Sequence, residues 1–342
     1  MKKLRILVIS EGVVNAKHGL SGGETRFIEI AKNWQKSGHQ IELLGTKGGW
    51  QLCLAHGLRT KLHALPSRSS NSRLSYFLQA FASFAIPKTL HKNTPNIIYS
   101  TNEQLYDTIP GLILKVKNKN TKWGVVIHWL PPYKWWTRKQ SSFLNSFLFL
   151  VSERLSLYIA CLFADKLLAV SESTRDQISR DPIARFFLKK VSPVECGVNV
   201  QDVKIISQSV SRKKYDAVFM KRLQAVKGIF DLIYTWEKVV QKKPNAKLII
   251  IGSGPDEQKA KNLVVKKNLQ KNIKFLGAIH DFKEKFTLIA QSKLFLLPTY
   301  EENWAIVIGE SMAAGTPVLT YDLKELKQVW KNNIHTVPIG QV

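Results

Sequence analysis

The stretch "LFLLPTYEENWAIVIGESMAAGTPVLTY", residues 294–321, decides the fold. It opens and closes on short apolar runs of β-strand length, "LFLLPT" and "PVLTY", with "YEENW" as a polar loop and "AIVIGESMAA" as a helix between them. Strand, loop, helix and strand in that order make a crossover unit, which places the two strands side by side and parallel. The same alternation runs outward on both sides. Upstream lie strand candidates at 216–220, 247–251 and 273–277, separated by helical patterns. One of these carries a clear apolar stripe, Ile229, Leu232/Ile233, Trp236 and Val239/Val240, at helical spacing.

The first half of the chain repeats the plan less regularly. Strand-like runs occupy 4–10, 41–45, 96–100, 124–129 and 166–171, and Phe27, Ile30/Ala31 and Trp34 share one helical face after the first. Between the halves, "NVQDVKIISQSVSRKK" (199–214) is polar, basic and weakly periodic, as a linker would be. The expected class is therefore α/β, with two Rossmann-like domains facing across a cleft. Residues 1–198 form the first domain, 199–214 the linker and 215–342 the second. Ligands of such sheets bind beyond the carboxyl ends of the strands, so the loops there are the ones to read.

Composition narrows the function. With 51 Lys and Arg against 25 Asp and Glu, the formal net charge of the 342 residues is +26. Residues 1–200 hold 28 cations against 12 anions and the remainder 23 against 13, so both halves are basic. The balance suits an anionic partner such as a nucleotide, a nucleic acid or an acidic membrane surface, and equally a lysine-rich solvated surface. Three cysteines (Cys53, Cys161, Cys196) with no paired spacing fit a reduced, cytoplasmic setting. "MKKLRILVIS" is short, has no small-residue cleavage site, and reads as a buried first strand rather than a signal peptide. The most apolar later segment, 143–165, is interrupted by Glu153 and Arg154. Each charge would penalise a membrane span by about 3 kcal/mol, so a core helix or an interfacial one is expected.

The loops after the strands carry the candidate chemistry. Gly22 and Gly23 precede a helix, where missing side chains and free N–H groups suit an anion; they also suit a tight turn. The pattern is not the GxGxxG fingerprint, which disfavours a nicotinamide cofactor. His128 ends the strand at 124–129, placed for substrate or for a core hydrogen bond. Arg222 and Lys227 follow the strand at 216–220 and could grip a diphosphate as a fork and a point charge, or be solvated cations. Gly252 and Gly254 in "GSGP" allow close backbone approach to a phosphate, ribose or base, or simply a turn.

In the opening stretch Glu302 sits just before the helix and Glu310 two turns later. A carboxylate near a helix N-terminus gains roughly 0.3–1 kcal/mol from the macrodipole, which covers Glu302 but not Glu310. Carboxylates also accept paired hydroxyl hydrogen bonds, and sugars and riboses present paired hydroxyls. Glu301, beside them, reads as surface. The sequence contains no DxD, HExxH or CxxC and no P-loop or GxSxG elbow. No metal and no cofactor is expected, so cations and N–H groups would have to neutralise any phosphate.

Taken in order, these motifs resemble the retaining glycosyltransferases of family 4, which have the GT-B fold, over nearly the whole chain. "EENWAIVIGE" matches the family's E-x7-E, "GESMAAGTPVLTYD" its usual sequel, "RLQAVKG" its R-L-x-x-x-K-G and "GSGP" its G-x-G-P turn. "ADKLLAVSESTR" and "GHQIELLG" are similar to its first-domain segments. The resemblance implies transfer of a sugar from a nucleotide-diphosphate-sugar to a hydroxyl acceptor, with retention and without a metal. Glu302 would hold the donor sugar and Glu310 the ribose, while Arg222 and Lys227 would neutralise the leaving diphosphate. The N–H groups of Trp304, Ala305 and Ile306 would meet the sugar and β-phosphate, and Gly252 to Gly254 would border the base. Gly22 and Gly23 would approach the phosphate or acceptor, and His128 the donor sugar.

Three residues depart from the pattern. Lys221 stands where glycine commonly precedes R-L, Asn199 replaces a frequent aspartate, and Ala305 replaces a glycine. Alanine keeps the N–H, and that exchange is mild where the local φ is negative. The family usually continues past "TVPIGQV" through further helices, so the second domain is expected to be incomplete at its C-terminus. "YKWWTRKQ" (133–140) mixes aromatics with cations, as interfacial segments do. It suggests a lipid-linked or envelope-glycan acceptor and peripheral contact with an anionic membrane. A sugar-nucleotide epimerase or hydrolase of the same fold is the nearest alternative. A basic nucleic-acid-binding protein is the more distant one, since no nucleic-acid motif is present.

Overall fold

The structure, a computed structural model, describes residues 2–10, 22–65, 84, 86, 90, 93–130 and 143–341. Contacts divide the chain into two units: of the described residues up to Glu195 all but Gly22 form the first, and Gly22 groups with the second, which otherwise starts at Cys196.

In the first unit the described strands are β1 (Arg5–Ser10), β2 (Gln40–Gly45), β3 (Lys61–Ala64), β4 (Ile97–Ser100), β5 (Lys122–Ile127), β6 (Lys166–Ala169) and β7 (Val191–Pro193). They form one parallel sheet in the order β3-β2-β1-β4-β5-β6-β7. Helices α1 (Gly22–Lys36), α2 (Lys47–Ala55), α3 (Leu105–Lys117), α4 (Phe143–Phe163) and α5 (Glu172–Ser179) fill the connections. The central strands are buried almost throughout, as continuous apolar runs between two helical layers must be.

The second unit begins with α6 (Val200–Gln208), followed by β8 (Ala217–Met220), α7 (Ile229–Lys242), β9 (Leu248–Ile251), α8 (Glu257–Lys266) and β10 (Ile273–Gly277). It continues with α9 (Phe282–Ala290), β11 (Phe295–Leu297), α10 (Ile306–Ala313), β12 (Val318–Tyr321), α11 (Lys324–Trp330) and β13 (His335–Val337). Its parallel sheet has the order β10-β9-β8-β11-β12-β13. Each unit thus reverses direction beside its first strand, at β1/β4 and at β8/β11, which is the doubly wound arrangement. That reversal leaves a crevice at the carboxyl ends of β8 and β11, and it fixes where the second unit's loops converge.

All ten expected strands are present to within two residues at their ends. Three further strands, β3, β7 and β13, were not expected. Each is an edge strand of three or four residues, and "KLHA", "VSP" and "HTV" lack the continuous apolar run that marks a buried strand.

One segment differs from expectation. Residues 199–214 are part of the second unit rather than a free hinge. Asn199 caps α6 by accepting from the Asp202 N–H at 3.2 Å, as the more usual aspartate would, and Val203 is fully buried. Lys213 then donates to the carbonyls of Ala290 and Ser292. One buried valine in so short a helix is too little periodicity to read from sequence.

α4 is a helix with a core side, within the expectation of a core or interfacial helix. It is turned so that Glu153 and Arg154 face inward, Arg154 lying 3.2 Å from the Asp181 carboxylate, while Phe147, Leu148, Val151, Leu155, Leu162 and Phe163 are exposed. Its core side is supplied by Leu150, Leu157, Ala160 and Cys161. Among the described residues no helix is long and apolar enough to cross a membrane.

Candidate active site

The loop after β8 is built by close backbone packing. Lys221 donates its N–H to Ile251 at the end of β9, and Leu223 donates to Ser253. A Cβ on Gly252, whose φ is +131°, would stand 2.1 Å from the Lys221 carbonyl, and one on Gly254 would stand 2.3 Å from the Leu223 carbonyl. The glycines of "GSGP" therefore admit residues 221–223 of their own chain, a structural reason sufficient for both. Asp256 completes the turn by accepting from the Ala225 N–H at 2.9 Å.

The loop after β11 is pinned to the same place. Gly228, between the Lys227 turn and α7, has φ +78°, and a Cβ there would stand 1.7 Å from the Pro298 carbonyl. Tyr300 donates its N–H to the Val226 carbonyl at 3.0 Å. The hydroxyls of Tyr300 and Tyr321 both donate to Asp231 on α7. Farther on, Trp330 donates its ring N–H to the Trp304 carbonyl at 2.8 Å. These ties hold "YEENW" beside the β8 loop.

Glu302 lies where the two loops meet. Its Oε1 is 2.8 Å from Lys221 Nζ and 3.0 Å from Lys227 Nζ, and its side chain is 9% exposed. Burial alone would raise its pKa. The two ammonium groups outweigh that penalty and hold the carboxyl below the usual range, so Glu302 is charged. Lys227 also donates to the carbonyl of Glu301 at 2.6 Å, and Glu301 itself is exposed. Arg222 is exposed at the same loop and makes no ion pair among the described residues. Glu310 is buried in α10 and paired with Lys285 of α9 at 2.8 Å; that ammonium also sits 4.5 Å from the centre of the Phe286 ring.

Trp304, Ala305 and Ile306 form the entry to α10, where the first turn leaves N–H groups without intrahelical acceptors. Ala305 differs from expectation. Its φ is +49° and ψ +67°, so the alanine occupies the left-handed region that the family's glycine would adopt freely. The exchange keeps the N–H but costs about 1 kcal/mol of backbone strain.

Gly22 and Gly23 open α1, and a Cβ on Gly23 would stand 3.1 Å from the His128 ring. His128 follows β5. Its Nε2 lies 2.9 Å from the Thr101 carbonyl, which can only accept, so Nε2 carries the hydrogen. Its backbone N–H donates to Glu103 at 2.9 Å, and the buried Glu103 also accepts from Trp129. Gly23 and His128 are thus neighbours at the carboxyl ends of the strands.

Sequence reasoning missed Lys221, Lys285 and Glu103. Lys221 was noted only as a departure from pattern; Glu103 had a signal, an acid just after a strand end in "TNEQ". The segment "YKWWTRKQ" lies outside the described residues. Among those residues no group of three or more His, Cys, Asp or Glu could hold a metal ion.

Comparison with known proteins agrees with this architecture. An uncharacterized glycosyltransferase of Methanocaldococcus jannaschii is 31% identical over 117 residues, 34% of this chain and 28% of that protein. The poly(glycerol-phosphate) alpha-glucosyltransferase of Bacillus subtilis is 31% identical over 114 residues, 33% of this chain and 16% of that protein. These matches span less than a third of either relative. Alr3699/HepE of Anabaena, solved in complex with UDP and glucose, superposes with a TM-score of 0.68 at 17% identity, covering 98% of this chain and 86% of that one. That likeness establishes the GT-B fold. The description "Glycosyl transferases group 1" matches residues 201–338 and "Glycosyltransferase Family 4" matches residues 20–202. With more than half of its length so matched, the chain belongs to glycosyltransferase family 4.

Proposed function

We propose that the protein transfers a sugar from a nucleotide-diphosphate-sugar to a hydroxyl acceptor, with retention. The observation that carries this reading is the convergence of Arg222, Lys227 and Glu302 at the carboxyl ends of β8 and β11. Breaking the bond between C1 of the sugar and the phosphate oxygen builds negative charge on that oxygen. Lys227 and Arg222 supply positive charge for the negative charge that develops there, and such stabilisation is largest where it is needed. As C1 becomes cationic, the Glu302 carboxylate favours it electrostatically.

The acceptor oxygen then bonds to C1 on the face the phosphate leaves, and its proton passes to the departing phosphate oxygen. Glu310 takes the ribose hydroxyls in this reading, and the N–H groups of Trp304, Ala305 and Ile306 take the β-phosphate and sugar. The family resemblance gives Gly22, Gly23 and His128 roles toward the sugar and acceptor; Gly252 and Gly254 shape the border of the base.

The acceptor is proposed to be a lipid-linked or envelope glycan, in line with the poly(glycerol-phosphate) named for the Bacillus relative. The outward apolar face of α4 supports contact with a membrane, and the neighbouring segment also exposes Phe186. The net charge of +26 would favour an anionic surface.

The deciding experiment follows turnover of UDP-, GDP- and ADP-sugars, with and without acceptor, in the protein and its Glu302→Ala, Glu310→Ala and Lys227→Ala variants. Loss of turnover in each variant is expected; unchanged turnover in all three would sink the assignment. Product release that does not depend on acceptor would indicate a hydrolase or epimerase instead.

A further inference from the structure

Lys221 has no role in the reading above, and it stands where the resembling family commonly has glycine. Its backbone is not free to vary: the N–H is bonded to Ile251 and the carbonyl abuts Gly252. The side chain alone chooses its direction, and it reaches Glu302. One carboxylate oxygen therefore has two ammonium partners, Lys221 at 2.8 Å and Lys227 at 3.0 Å.

Charge balance gives that redundancy a purpose. Lys221 and Lys227 both oppose the buried charge of Glu302, with Arg222 exposed beside them, and a diphosphate-linked donor brings two negative charges. If Arg222 and Lys227 engage the diphosphate, Lys221 is what still neutralises Glu302. With glycine at 221, Lys227 would serve both, and drawing it to the phosphate would leave a buried carboxylate unpaired, a large penalty.

We propose that Lys221 is a positioning residue that retains Glu302 so that Lys227 can pass to the donor's diphosphate. The proposal rests on the donor-site reading given above and adds to it a division of labour between two lysines.

The test uses inorganic pyrophosphate and UDP as probes, titrated calorimetrically into the protein and its variants. Lys221→Met is expected to weaken both about tenfold, because Lys227 is then held by Glu302. Glu302→Gln removes the competing carboxylate, so the double variant Lys221→Met/Glu302→Gln is expected to recover the affinity of the single Glu302→Gln protein. Lys221→Arg keeps the charge and is expected to bind as the parent does, and Lys227→Met to lose binding in every background. A merely structural Lys221 would not be rescued by a second substitution in its partner.

Two results overturn the proposal alone: Lys221→Met binding like the parent, or the double variant staying as weak as Lys221→Met, which would make Lys221 a direct phosphate ligand. Parent protein that binds neither probe, or Lys227→Met that binds as well as the parent, overturns the donor-site reading and the proposal with it.

Discussion

Substituting Gly228 by alanine should uncouple the two loops that form the site. At φ +78° an alanine pays about 1–2 kcal/mol for the left-handed conformation. Its lower unfolded-state entropy returns only about 0.4–1 kcal/mol. The new methyl would also stand 1.7 Å from the Pro298 carbonyl oxygen, where ordinary contact needs roughly 3.3 Å. That oxygen is backbone, so the β11 loop must give way by more than an ångström, a shift worth about 1–3 kcal/mol in a packed interior. The total is about 3 kcal/mol.

Gly315 provides the control. It has φ +70°, and a Cβ there meets nothing within 4 Å, so Gly315→Ala isolates the conformational cost at about 1 kcal/mol or less. A chain of two units need not unfold in one step, so a global midpoint is the wrong readout. Native-state hydrogen exchange at the amides of β8 and β11 reads the second unit directly. A difference of about 2 kcal/mol between the variants appears as roughly thirtyfold faster exchange in Gly228→Ala. Displacing Pro298 also carries Glu302 away from Lys227, so turnover should fall in Gly228→Ala and persist in Gly315→Ala. Equal exchange and equal turnover in the two variants would refute the claim that Pro298 is what Gly228 accommodates.

Acid stability follows from the paired carboxyls. Glu42, Asp165, Asp216 and Glu302 are each held below their ordinary values, burial in every case being outweighed by cationic or N–H partners. A lowered folded-state pKa gives stability that is complete above the unfolded value and lost as pH falls through the folded one. The stability of each unit, read by native-state hydrogen exchange, should therefore hold steady down to about pH 4.5 and drop below it. Asp216, brought to about 2 by Lys243, the Lys247 N–H and Lys293 against the cost of burial, should contribute to the loss between 3.8 and about 2, and Asp216→Asn should make it shallower. Thiol reactivity gives a further check: burial pushes Cys53 and Cys161 up to about 12, so at about pH 8 a disulfide reagent should label the half-buried Cys196 and reach the other two only on unfolding. Three reactive thiols in the folded protein would contradict that.

Much of the fold was legible because parallel strands covered on both faces must be apolar throughout, and "AVFM", "LIII" and "FLL" announce themselves. The motif order around Glu302 and Glu310 was legible for a similar reason, since loops after strands are where such a sheet can hold ligands. The edge strands β3, β7 and β13 were not, because one neighbour and one open side impose no apolar run. Nor was the direction α4 faces. Its apolar residues surround the helix, so the inward turn of the charged side, where Arg154 meets Asp181, was left to tertiary packing.

Local pattern thus dictates the class, the repeated crossover units and the carboxylates and cations placed after their strands. Tertiary structure alone decided how those groups pair. Lys221 and Glu302 lie far apart in the chain, and no local pattern reports that two loops will close on one oxygen atom. The sign of φ at Ala305 was likewise set by the path from a pinned loop into α10, a constraint imposed from outside the residues that obey it.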